Sequence, residues 1–361
     1  MKPKSIFLGI SIVLSLLIAA LLPASPTLAT EPDPDQSRIE NCHPEQSEGR
    51  ESKIDLWSSG WVDLAPGESK TLTHNVGGDI EDYALQMWFR DTDTGGYGVN
   101  NRAYGSDEDN GVWLGAFWRS LTDTTIAVAR QPADVMAEQV RVWLWPMEYT
   151  SPPYCTAWAA VGQGSTVTVV HNLGGNPDDY VVKLWFRHPA FPTGVHQIYY
   201  GGAEGGGESL GAYWHGLDAT QIQVSRLYAD IEAEEFLLCV GLTDPPAWDS
   251  GWVSMDPGQA LVLDHNLGVS ILRYVVRMEF KQVSKEGAPE APMAIHQFGY
   301  GGLASNVLND ATYLGANWQN LTNQSITLYR WADDQYADQV RVRIWLRHLS
   351  TYLPIVFKNY P

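Results

Sequence analysis

The sequence predicts an all-β protein: three tandem antiparallel β-sandwich repeats of about 95 residues each, following a signal peptide and a disordered linker. Three observations predict it. First, one stretch occurs three times: HNVGGDIEDYALQMWF at residues 74–89, HNLGGNPDDYVVKLWF at 171–186 and HNLGVSILRYVVRMEF at 265–280. In every copy a tyrosine follows the histidine by nine residues and a phenylalanine follows the tyrosine by six. Second, the segment after each tyrosine alternates apolar and polar with the period of a strand. Third, no repeat carries a credible helical pattern, whereas Gly-containing turns and aromatic residues abound.

The N-terminus justifies the first element. Lys2 and Lys4 precede an apolar run over residues 6–22, followed by small residues that end in Thr27-Leu28-Ala29. That is the layout of a secretory signal peptide, residues 1–29, cut after Ala29; an uncleaved anchor is the alternative. Either way the repeats are exported. The expected location is secreted, extracellular or cell-surface, with no membrane insertion after cleavage, because no other stretch is apolar enough to span a bilayer. Residues 30–54 are polar, charged and proline-containing, which predicts a disordered linker. Its Cys42 is the odd one of three cysteines.

The repeats occupy residues 55–150, 151–246 and 247–348. Each opens on a tryptophan thirteen residues before the recurring histidine: Trp61, Trp158 and Trp252, the first and third within Ser-Gly-Trp. A strand then ends at His-Asn, a turn follows, and a second strand begins at the tyrosine. On that strand Tyr180, Val182, Leu184 and Phe186 share one face, which predicts a core; Val181, Lys183, Trp185 and Arg187 share the other, which predicts a half-exposed sheet. The first repeat has Trp88 and Arg90 on the outward face, and the third has Glu279 where the tryptophans stood. Next come Tyr104-Gly105, Tyr200-Gly201 and Tyr300-Gly301, and then Gly-Ala-x-Trp at 115–118, 211–214 and 315–318. A strand through Ile126 and Val128 follows, and a closing strand alternates Val140, Val142 and Leu144 with Arg141, Trp143 and Trp145. Six or so short strands per repeat close most naturally as a sandwich.

The second repeat carries Cys155 near its start and Cys239 near its end. In an exported chain this pair predicts a disulfide clamping first strand to last, with two unpaired thiols as the alternative. Proline-bearing connectors at 150–153 and 243–246 join the repeats, and residues 349–361 form a C-terminal tail.

Composition narrows the partners. Lys and Arg number 23 against 42 Asp and Glu, and such an acidic chain repels phosphate backbones, so nucleic acid is excluded as the expected partner. No Gly-x-Ser-x-Gly, His-Glu-x-x-His, phosphate loop or dinucleotide fingerprint is present, so no catalytic residue and no cofactor is assigned. His74, His171 and His265 sit at strand ends in phase with the apolar face, where hydrogen-bonding the turn is the expected role. Arg130 with Asp134, Arg226 with Asp230 and Arg330 with Asp334 recur four apart and read as rim ion pairs. Asp91 and Asp93 precede glycines as calcium ligands do, but the segment lacks the other ligands of an EF-hand. It reads first as a glycine-rich hairpin tip.

The candidate ligand-binding residues are Trp88 with Arg90 and Trp185 with Arg187. An indole face beside a guanidinium suits the C–H face and hydroxyls of a pyranose. The alternative is that a neighbouring repeat covers those indoles, since the connectors are short.

With an early Gly-Trp (Gly60-Trp61, Gly251-Trp252), a hairpin of alternating apolar strands, a closing strand and the Cys155–Cys239 pair, the repeat resembles the H-type lectin domain across nearly all of residues 55–348. That resemblance implies a small antiparallel sandwich, binding of N-acetylgalactosamine-type sugars and assembly as trimers. It further implies that three copies in one chain can fold back as an intramolecular pseudo-trimer. It transfers no individual sugar-contacting residue. The expected function is a secreted, lectin-like carbohydrate-binding or adhesion protein without catalysis, its partners glycans or other surface molecules. The alternative is a structural cell-surface or extracellular assembly module with no sugar ligand.

Overall fold

Alternation along the strands sets the architecture in the computed structural model, which describes residues 57–109, 111–190, 192–205, 208–283, 293–305 and 312–347. The signal peptide, the linker with Cys42 and the tail at 349–361 lie outside the described residues. Each repeat contains the same ten strand segments. In the first, the closing strand Gln139–Pro146 pairs along its length with Tyr83–Arg90 and on its other edge with Trp57–Ser58 and Val62–Asp63. Val99–Asn100 completes this five-stranded sheet by pairing with the far end of Tyr83–Arg90. Ser69–Thr73, Thr125–Arg130 and Ala116–Arg119 form a three-stranded sheet, and Asp107–Asp109 with Val112–Leu114 form a separate hairpin. The second and third repeats copy this topology, and every strand pair is antiparallel.

The only helical pieces among the described residues are 3-10 turns at Ile80–Asp82, Pro177–Asp179 and Ile271–Arg273. Each precedes the recurring tyrosine and is capped by the side chain of Asp79, Asn176 or Ser270, which accepts the N–H two residues on. The prediction of an all-β chain of three similar sandwiches is what the structure has.

Between the two sheets of a repeat lies its core. Tyr83, Met87 and Phe89 pack with Val140, Val142 and Leu144 of the neighbouring strand against Ile126, Val128 and Trp118 of the opposite sheet. Burying one such side chain stabilises by about 1.5–3 kcal/mol, which makes this stripe the main local source of stability.

The other face of the five-stranded sheet departs from the expectation of a half-exposed surface. Trp88, Trp185, Trp143 and Trp145 are all buried, because another repeat packs on them. Trp88 meets Trp318 of the third repeat edge-on at 5.8 Å, and Trp185 meets Trp118 of the first at 5.7 Å. A sheet buried on both faces keeps its alternation, but the alternation then separates two interiors rather than inside from outside.

The contacts between repeats are cyclic. Tyr199 N–H donates to Gly105 O at 2.7 Å, Gly299 N–H to Gly201 O at 2.8 Å and Ala103 N–H to Gly301 O at 2.9 Å. The rings of Tyr104, Tyr200 and Tyr300 meet edge to face in all three combinations, at centroid distances of 5.6–6.1 Å. Glycine is required at this seam. Gly201 has φ +86°, and a Cβ there would lie 2.8 Å from the backbone N of Tyr300. Gly201→Ala is therefore expected to cost more than about 2 kcal/mol in urea unfolding, combining left-handed strain with a backbone clash. Gly251→Ala is the control: φ is +62° but nothing lies within 4 Å, so only the strain of about 1–2 kcal/mol applies.

Cys155 and Cys239 stand opposite each other on paired strands with Cα atoms 4.1 Å apart, and they form the expected disulfide. It closes a separation of 84 residues, for which chain entropy gives roughly 4–5 kcal/mol of stabilisation.

Candidate functional site

A tryptophan with a cation laid over it recurs in all three repeats, half-buried where repeats meet. Arg90 lies 4.1 Å from the ring centre of Trp61, Arg187 lies 4.4 Å from Trp158, and Lys281 lies 4.3 Å from Trp252. The cation is the last residue of the strand that begins at the recurring tyrosine, and the tryptophan belongs to the repeat's opening segment. The local fold brings them together because both segments run beside the closing strand.

The candidate pairs read from the sequence are thus half re-paired. Arg90 and Arg187 are at the partly exposed edge, but they stack on Trp61 and Trp158 instead of flanking an exposed Trp88 or Trp185. Those two indoles are 2% and 1% exposed and offer no face to a ligand, a correction that follows from repeat-on-repeat packing. The signal that could have found the right rings was the tryptophan thirteen residues ahead of each His-Asn turn.

Carboxylates complete two of the three clusters. The Trp158 indole N–H donates to Glu81 of the first repeat at 2.6 Å, and Arg187 Nε pairs with Glu235. The Trp252 indole N–H donates to Asp178 of the second repeat at 3.0 Å, with Lys281 3.5 Å from the same carboxylate. Arg341 donates to Asp249 at 2.9 Å beside that ring, and the bond holds the Arg341 guanidinium above its ordinary value. At the first cluster the equivalent position is Leu272 of the third repeat, whose side chain accepts no hydrogen bond, and the Trp61 indole nitrogen has no hydrogen-bond partner among the described residues. A ring edge, cationic N–H groups and carboxylate oxygens side by side at a half-buried edge can take a hydroxyl-rich, weakly apolar ligand.

The other recurring polar residues are structural. Arg226 Nε donates to Asp230 at 2.8 Å and its Nη2 to the Asp230 carbonyl at 2.8 Å, while Nη1 donates to Val161 O at 3.0 Å. Asp230 also accepts the N–H groups of Gly211 and Ala233. Arg130–Asp134 and Arg330–Asp334 repeat the pattern. The expectation of rim ion pairs is corrected: both members are buried in all three repeats, because the arginine reaches inward to pin the loop that leads into the closing strand.

His74, His171 and His265 accept the N–H two residues on through Nδ1, at 3.2–3.3 Å, which is the turn-bonding role expected of them. Burial lowers all three pKa values. Sequence reasoning missed His196 and His296, which are fully buried. His196 accepts from Ile198 N–H and donates to Glu232 O, each at 3.1 Å; His296 does the same with Phe298 N–H and Tyr336 O. Asn100 holds this place in the first repeat and makes the matching bonds to Arg102 N–H and Met136 O.

Asp91 and Asp93 gain a third carboxylate, Glu138, and ligand oxygens of the three lie within 4.8 Å of one another. Asp91 already accepts the N–H groups of Asp93 and Tyr97, and Glu138 accepts that of Thr92. These bonds close the loop. No known protein family, curated protein or solved structure matches this chain.

Proposed function

We propose that this is a secreted, lectin-like carbohydrate-binding or adhesion protein without catalytic activity, whose sugar-binding recesses are the Trp–cation clusters at the repeat junctions. The observation that carries the reading is their threefold recurrence: Trp61/Arg90, Trp158/Arg187 and Trp252/Lys281 are half-buried, aromatic and charged at equivalent positions. Glycans suit such recesses because a pyranose has both C–H patches for a ring edge and hydroxyls for guanidinium and carboxylate. The pseudo-trimer implied by the H-type lectin resemblance fits the cyclic contacts, and three weak sites on one body raise avidity without new contacts. This reading needs no metal.

A glycan array tests it. The wild-type protein is expected to bind a discrete set of sugars, and Arg187→Ala is expected to weaken that binding several-fold. Arg187 carries 38% exposure on its side chain, and its pair with Glu235 contributes only about 0–1 kcal/mol, so the variant stays folded. An array without binding would discard the carbohydrate reading. The alternative, an extracellular assembly module with no sugar, is favoured by Val170 and Val262, which are exposed on edge strands able to pair or pack with another chain. Self-association of the wild-type protein would then replace glycan binding.

A further inference from the structure

The centre of the molecule carries a positive cavity that the clusters at the junctions do not use. Gln86, Lys183 and Arg277 occupy the same strand position in the three repeats, and all three line a cavity of about 70 Å³ where the repeats meet. Each reaches across to another repeat. Gln86 bonds the backbone N–H and carbonyl of Val276; the Lys183 ammonium donates to the carbonyls of Glu81 and Tyr83; Arg277 Nη1 donates to Val182 O at 2.6 Å.

These bonds leave donors over. Lys183 has three N–H groups, uses two and lies 4.3 Å from the Trp185 ring centre, and Arg277 has five and uses one among the described residues. No Asp or Glu lines the cavity. Glu279 bonds twice to Arg343, at 2.6 and 2.7 Å, and is committed there. Two cations therefore face one small space lined by no carboxylate; the acidic groups that act on them, Asp82 and Glu81 on Lys183 and Glu279 on Arg277, lie outside that lining. Enclosure is felt by both: burial pushes Lys183 down to about 8 and lowers Arg277 from its ordinary value.

We propose that this cavity binds a single small monovalent anion of halide size, held by the Arg277 guanidinium and the Lys183 ammonium. Size and sign select it: the space admits a few water-sized groups, so a halide with a water or two fits against the two cations. The anion adds a counter-charge inside the cavity and ties the second and third repeats, which supply the cations, to the first, which supplies Gln86.

Two measurements test it. Crystals grown with bromide in place of chloride are expected to give an anomalous peak within hydrogen-bond reach of Arg277; a map without a peak at the cavity overturns the proposal. In solution at fixed ionic strength, replacing gluconate by chloride is expected to raise the Tm in a concentration-dependent way, and Arg277→Met is expected to abolish that rise. Equal chloride dependence in wild type and Arg277→Met would also overturn it. Should the variant fail to fold, the bromide map alone decides.

Discussion

Asp230→Ala is expected to destabilise the protein by about 3–5 kcal/mol, the range for removing one partner of a buried ion pair. The loss exceeds that of a single hydrogen bond because three dependants are stranded together. Arg226 keeps its charge in a buried site, and the N–H groups of Gly211 and Ala233 lose their acceptor. Urea unfolding with the slope m held constant measures it. Glu235→Ala, which breaks the half-exposed pair with Arg187, is the matched control at about 0–1 kcal/mol. Equal costs for the two variants would contradict the account of the Arg–Asp pairs as interior clamps.

Acid is expected to unfold the protein between about pH 6.5 and 4. Burial holds both His196 and His296 at about 4, below the ordinary 6.5. Between those values the unfolded chain binds protons that the folded chain does not, so stability is fully present above 6.5 and falls as the pH drops. A depression of that size corresponds to about 3 kcal/mol per histidine. The first repeat supplies the rescue. Asn100 makes both hydrogen bonds with no titrating group, so the double variant His196→Asn, His296→Asn is expected to flatten much of the stability loss from pH 6.5 to 4. A residual dependence from His215, also held at about 4 by burial, is expected to remain. An unchanged acid profile in the double variant would show that these two histidines are not the groups that titrate.

Much of the fold was legible in the sequence because strand period and repeat spacing are local signals. The Tyr83, Tyr180 and Tyr274 strands, the His-Asn turns and the Cys155–Cys239 pairing follow from spacing and chain order. The candidate site was harder. Alternation marks two faces of a strand but not what lies beyond each, so Trp88 and Trp185 read as outward when they are the interior of a second, inter-repeat core. Glu279 is the instructive case. It breaks the tryptophan pattern, yet it is buried with Arg343, whose Nη2 also donates to Tyr180 O of the second repeat at 2.8 Å. One position thus reads Trp, Trp and Glu: the two tryptophans meet Trp318 and Trp118 edge-on, whereas Glu279 pairs with Arg343. His196 and His296 were overlooked because the first repeat has asparagine there, and only the hydrogen bonds reveal that the two residue types do the same job.

The three repeats close on one another and share buried faces, and small-angle scattering of the chain in solution measures that closure. A folded body of this length closing as described has a radius of gyration of about 19 Å, enlarged only by residues outside the repeats. A profile with a single compact maximum in its distance distribution agrees with closure. A distribution with separate inter-domain peaks, as from three beads in a row, would contradict it.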